Sequence, residues 1–145
     1  HGPARFQDSN FFQDLSIIKT PSFPDRTEFG GSTFIKNADF SNATFTGSTN
    51  LAGTTFNESA IFTKSQFLTQ ESPFDPTNDF ALRKARFSTK VARRKSDFDV
   101  REGSFPIESV KIILNNQEFT IPRYCILFDF INPETPEIYA DSQQP

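Results

Sequence analysis

Phe23, Phe29, Phe34, Phe40, Phe45, Leu51, Phe56, Phe62 and Phe67 follow one another at spacings that alternate between six and five residues. Two positions before the apolar residues stands a second column, Thr27, Ser32, Ala38, Ala43, Thr49, Thr54, Ala60 and Ser65, in which every side chain is small. Positions i−2 and i share one face of an extended segment, so each unit predicts a very short strand with one small and one bulky side chain pointing inward. The pairs between them, such as Gly30-Gly31, Ser41-Asn42, Gly47-Ser48 and Asn57-Glu58, have the composition of turns and predict corners. The pattern extends backward less regularly through Ile18, Phe12 and Phe6, and it loses strict phase after Phe67.

An eleven-residue period also describes a right-handed helical supercoil, but that structure needs several apolar residues per period at helical spacing. Here the intervening residues are Thr, Ser, Asn and Gly, which are indifferent or poor helix formers. Long strands fail too, because spacings of five and six cannot hold one face of a period-two strand. A solenoid remains, in which equivalent side chains of successive coils stack in interior columns. Four faces of five, six, five and six residues make a coil of 22, so residues 23–67 supply about two coils, or about three with the N-terminal units.

The units Ala38-Asp39-Phe40-Ser41-Asn42 and Ala43-Thr44-Phe45-Thr46-Gly47 resemble the pentapeptide-repeat family, whose unit is a small residue, a variable one, Leu or Phe, and two mostly polar ones. The alternation of five and six is similar to the Phe-rich variant of that family. The resemblance covers 23–67 well, 6–22 weakly, and single units at Ala85-Arg86-Phe87 and Ser96-Asp97-Phe98. It implies an all-β fold, a right-handed quadrilateral parallel β-helix with a ladder of stacked Phe side chains inside. It implies no catalytic site: the family is known for scaffolding, binding and, in some members, mimicry of DNA toward topoisomerases. DNA mimicry is a poor fit, because it needs a long acidic solenoid and this chain has few coils and a basic block.

The expected organisation is a solenoid with its N-terminal cap over 1–105, and a non-repeating C-terminal β extension over 106–145. Within that extension, Val110 to Leu114 and Glu118 to Ile121 flank Asn115-Asn116 and read as a hairpin. The stretch from Asn132 to Pro145, rich in Pro and acid, reads as an extended or disordered end, or else as an acidic peptide that pairs with basic residues.

Composition sharpens this reading. Of 145 residues 35% are hydrophobic, yet Phe fills 19 positions while Met and Trp fill none, so the core is built from one bulky side chain. A chain so rich in aromatics is not globally disordered. It has no apolar run near the roughly 18 residues of a membrane-spanning helix, which reads as a soluble chain. The compartment stays open: the start, at His1, lacks a signal-type apolar run and reads as a processed end or a tag remnant, and the single Cys125 forms no internal disulfide.

Net charge is −3, unevenly placed. Residues 1–78 carry 5 basic and 8 acidic groups, residues 79–111 carry 9 and 5, and residues 112–145 carry 1 and 5. The basic segment 83–95 holds Arg83, Lys84, Arg86, Lys90, Arg93, Arg94 and Lys95. Such a cluster is either a solvated cap of the solenoid or a footprint for an acidic partner. Another protein is the expected partner, with an anionic membrane surface or a second copy as alternatives; nucleic acid is disfavoured, because the interleaved Phe residues read as core.

Catalytic chemistry finds little support. Asp97 and Asp99 are two apart and would share a strand face, which could serve glycoside hydrolysis, but no companion is evident. The sole imidazole, His1, excludes the usual nucleophile–histidine arrangements and cannot alone hold a metal. Cys125 within YCILFDF reads as a buried, inert thiol, and no Gly-rich phosphate loop is present. The expectation is a non-enzymatic binding or scaffolding module without cofactor, with a self-associating spacer or stalk of a larger protein as the rival.

Overall fold

The computed structural model describes residues 4–5, 10–11, 15–16, 22–23, 27–68, 71–78, 82–90, 95–132 and 134–140. Up to residue 67 the strands are two residues long: β1 (Ala4–Arg5), β2 (Asn10–Phe11), β3 (Leu15–Ser16), β4 (Ser22–Phe23), β5 (Thr27–Glu28) and β6 (Thr33–Phe34). They continue with β7 (Ala38–Asp39), β8 (Thr44–Phe45), β9 (Thr49–Asn50), β10 (Thr55–Phe56), β11 (Ala60–Ile61) and β12 (Gln66–Phe67). The later strands are β13 (Arg86–Ser88), β14 (Ser109–Leu114), β15 (Gln117–Pro122), β16 (Ile126–Phe128) and β17 (Ile138–Tyr139).

Successive short strands enter four sheets in rotation, β1-β5-β9, β2-β6-β10, β3-β7-β11 and β4-β8-β12, and every pair among them is parallel. Thr33 lies opposite Thr55 and Ala38 opposite Ala60, the coil of 22 that the alternating spacing predicts. The first coil is looser in count, with Ala4 opposite Thr27, 23 residues on. This shifts one ladder position: Phe11, not Phe12, stands opposite Phe34. Phe6, Phe12 and Ile18 lie outside the described residues.

The alternation of five and six has a local cause. After Phe29, Phe40, Leu51 and Phe62 the chain makes a β-turn, closed by N–H donation from Ser32, Ala43, Thr54 and Ser65 to the carbonyls three residues back, at 2.9, 3.2, 3.3 and 3.0 Å. The third residue of each has positive φ: Gly31 (78°), Asn42 (64°), Gly53 (75°) and Lys64 (60°). This is the type II pattern, in which that one position must be left-handed. These tight corners give the spacing of five; the wider bends after Phe34, Phe45 and Phe56 give six. At Gly53 a Cβ would also lie 3.1 Å from Arg83 Cβ and 3.2 Å from Gly31 N. Gly53→Ala is therefore expected to cost at least the ~1–2 kcal/mol of a left-handed non-glycine residue, read as a lowered midpoint in urea unfolding.

Inside, every residue of both predicted columns from Thr27 to Phe67 is buried. Phenylalanines of one column stack nearly parallel, Phe34 on Phe56 at 5.2 Å, Phe40 on Phe62 at 5.1 Å and Phe45 on Phe67 at 4.9 Å, as strands one coil apart dictate. Neighbouring columns meet edge to face, as Phe34 and Phe40 do at 85°. The side chain of Phe23 is not described, but its backbone pairs with Phe45.

The ladder goes beyond Phe67, where sequence phase is lost. Phe87 stacks on Phe56 at 4.9 Å and Phe98 on Phe62 at 6.1 Å, both buried, so the units at 85–87 and 96–98 belong to a fourth coil. Phe74 is also buried, and Leu51 N donates to Pro73 O at 2.7 Å, continuing the first column. Intervening segments of unequal length break the count without breaking the stack.

Beyond 105, β14 and β15 form the antiparallel hairpin around Asn115 and Asn116. The chain then does something the sequence does not announce: β16 returns to the solenoid and pairs in parallel with β13, Leu127 opposite Phe87. The hairpin is thus an insertion within a coil, and residues 106–145 are not wholly outside the repeat architecture. Its inner residues Ile112, Phe119 and Ile121 join the buried core with Phe98, Cys125 and Leu127. Finally β17 pairs antiparallel with β16, and Ala140 is buried with its N–H on Cys125 O at 2.8 Å. For residues 137–140 a disordered end is corrected, because Ile138 and Tyr139 form an extended strand on β16, and the ion pair of Glu137 with Arg86 fits the alternative of an acidic peptide that meets basic residues.

Candidate binding surfaces

The basic segment is less free than its sequence suggests. Arg86 forms an ion pair with Glu137, and its guanidinium lies 4.6 Å above the Phe128 ring. Lys90 Nζ is 3.4 Å from Glu58 and 4.0 Å from the centre of the Phe130 ring. Each cation therefore meets a carboxylate and an aromatic face from a different part of the chain, and the acid that holds Arg86 belongs to the C-terminal stretch. Exposed ion pairs and cation–π contacts each contribute about 0–1 kcal/mol, so these are fasteners more than foundations. Arg83 is exposed beside the Gly53 corner and Lys84 is half-buried. Arg93 and Arg94 lie outside the described residues, and of Lys95 only the backbone is described, in a 3-10 turn over Lys95–Phe98.

That turn also separates the two candidate carboxylates. Asp97 is buried and Asp99 exposed, because the segment is a turn and not a strand, so the expected shared face does not form. Their backbones serve the coil, with Phe62 N donating to Asp97 O at 2.6 Å and Lys64 N to Asp99 O at 2.8 Å. Cys125 is fully buried, as expected of an inert thiol. Among the described residues, no three His, Cys, Asp or Glu side chains gather as a metal site would require, and no helix is long and apolar enough to cross a membrane.

Two features carry no sequence signal. Arg101 reaches across the outside of a sheet to Thr44 Oγ1 at 2.6 Å and Gln66 Oε1 at 2.9 Å, joining three coils by one side chain. A cleft of about 260 Å³ lies at the base of the hairpin, between Glu71, Asp75, Phe105, Glu108, Pro122 and Tyr124. Three segments far apart in the chain make it, so no local motif could reveal it.

Residues 29–75 match the family described as Pentapeptide repeats (9 copies). This stretch is made of pentapeptide repeats. Neither a search of the curated proteins nor one of the solved structures found a match. The matched pentapeptide repeats begin at Phe29 and end just past Phe74, and so contain the four regular corners with positive φ. Phe87 and Phe98 lie beyond them, yet the same stacking holds these residues in the ladder.

Proposed function

We propose that the chain is a non-enzymatic protein-binding or scaffolding module, built on a right-handed, four-sided solenoid. The rotation of successive strands through four sheets supports four sides, and parallel strands joined by crossover are right-handed by strong preference. One observation carries the functional reading: three coils of stacked Phe rings make a stiff frame, and at its surface Arg83 is exposed beside the Gly53 corner. A stiff frame loses little entropy when it binds, so affinity is gained without an ordering cost.

The contact residues proposed are Arg83, Lys84, Arg86, Lys90, Arg93, Arg94 and Lys95, of which Arg86 and Lys90 also pair with Glu137 and Glu58. Charges of this kind act mainly on orientation and association rate. The stalk reading is weaker, because the antiparallel β17 ends the longest sheet with a strand that does not continue the parallel stack. The separation of Asp97 from Asp99 speaks against a carboxylate pair in glycoside hydrolysis.

The test is recovery from source-cell extract by the wild-type chain and by an Arg93→Glu/Arg94→Glu/Lys95→Glu variant of equal melting temperature. A protein recovered by the wild type alone is the expected result. Equal recovery by both would remove the basic segment from the reading.

A further inference from the structure

Among the described residues, strand β14 pairs on one side only. Asn115 and Asn116, with φ of 53° and 62°, form a two-residue turn of the I′ kind, which makes Leu114 and Gln117 a hydrogen-bonded closing pair. Leu114, Ile112 and Val110 thus direct their backbone groups to β15, and the bond from Arg123 N to Glu108 O at 2.8 Å keeps the same parity. Ser109, Lys111 and Ile113 turn theirs the other way, to an edge that no described strand covers. Ile113 is 62% exposed on this strand. An extended, exposed edge of six residues is a template for an added strand.

The edge leads to the cleft, because Phe105, Pro106, Ile107 and Glu108, the residues just before β14, line it. Glu71, Asp75 and Glu108 face it with Arg123, whose Nη1 is 3.0 Å from Glu108. Three carboxylates and one guanidinium give the lining of the cleft a formal excess of negative charge. Its apolar part, Phe105, Ile107 and Pro122, suits the aliphatic stem of a long basic side chain whose charged head reaches the carboxylates.

We propose that the β14 edge and this cleft form a docking site for an extended peptide segment that carries lysine or arginine. The partner's backbone adds to the hairpin as a third, antiparallel strand, and a basic side chain at its end nearest Ser109 enters the cleft. This goes beyond the basic-segment reading: the partner has the opposite charge, and the two surfaces share no residue. A second copy of the chain is the poorer occupant, since pairing symmetric about the middle of the three outward-directed residues sets Lys111 against Lys111.

The experiment titrates the isotope-labelled full chain with capped seven-residue peptides of alternating Thr and Val, in which one position at a time is Lys, Ser or Glu. Binding by the Lys series, strongest with Lys near one end, is expected, together with slowed hydrogen exchange at the Lys111 and Ile113 amides. Ile113→Pro removes an edge donor and spares the bonds to β15, and should weaken binding about five- to tenfold, the effect of one lost hydrogen bond. Lys111→Pro repeats the test if Ile113→Pro unfolds, and Glu71→Lys should weaken only the Lys series. The proposal is overturned if Ser or Glu peptides bind as well as Lys peptides, if no series binds at millimolar concentration, or if both amides exchange unchanged at saturation. Dimerisation of the wild-type chain in sedimentation, abolished by Ile113→Pro, would instead assign the edge to a second copy.

Discussion

Phe62→Ala is expected to lower the unfolding free energy by about 3–5 kcal/mol, the usual cost of truncating a fully buried phenylalanine. Phe62 sits at the centre of the ladder. It stacks on Phe40 at 5.1 Å and Phe98 at 6.1 Å, and meets Phe56 and Phe74 edge to face at 6.1 and 5.6 Å. In a solenoid each coil is stabilised only by its neighbours, so a cavity in the middle coil weakens both interfaces at once. A domain of this size has a total stability of about 5–15 kcal/mol, and the variant should therefore unfold at a much lower urea concentration or not fold at all. Phe62→Leu should lose much less, because Leu51 already fills an equivalent ladder position without exposure. Equal losses for the two variants would show that the aromatic ring itself, and not the buried volume, supplies the stability at this position.

The second large effect is expected at the hairpin. Phe119, opposite Ile112 on the inner face of β15, is 2% exposed and belongs to the same buried cluster as Phe98 and Leu127. Phe119→Ala should cost about 3–5 kcal/mol. Because the hairpin is inserted between β13 and β16, its undocking should also release the β16–β17 end of the long sheet. Amide exchange at Ile126 and Ala140, whose N–H groups bond to Ala85 O and Cys125 O, should then accelerate with that of the hairpin. Ile113→Ala, on the exposed side of the same hairpin, should stay within about 0.5 kcal/mol of wild type. Thermal melts of the pair separate docking from local hairpin stability.

The regular coils were legible because each inward position repeats a simple steric demand: a ring where coils stack, a small side chain where the strand turns. Glycine and asparagine at the tight corners, together with Lys64, mark a left-handed position every eleven residues, so the alternation of five and six is readable in the chain. Legibility ends where segments of variable length intervene. Phe74, Phe87 and Phe98 keep their places in the columns, but nothing local fixes their count. The return of Ile126–Phe128 depends on Phe87 and on the docked hairpin, contacts that sequence periodicity does not encode. The basic segment misled for a related reason. Its charge is visible in the sequence, but the carboxylates that hold Arg86 and Lys90, Glu137 and Glu58, come from other coils or from the C-terminal stretch.

The most direct test of the central claim, a stack of 22-residue coils, is a measurement of scalar couplings across backbone hydrogen bonds by solution NMR. The account predicts couplings from the amide nitrogens of Thr55, Asn57, Gln66 and Leu68 to the carbonyl carbons of Ser32, Phe34, Ala43 and Phe45, respectively. Couplings that link residues four apart, or strands in antiparallel order within 27–68, would contradict it.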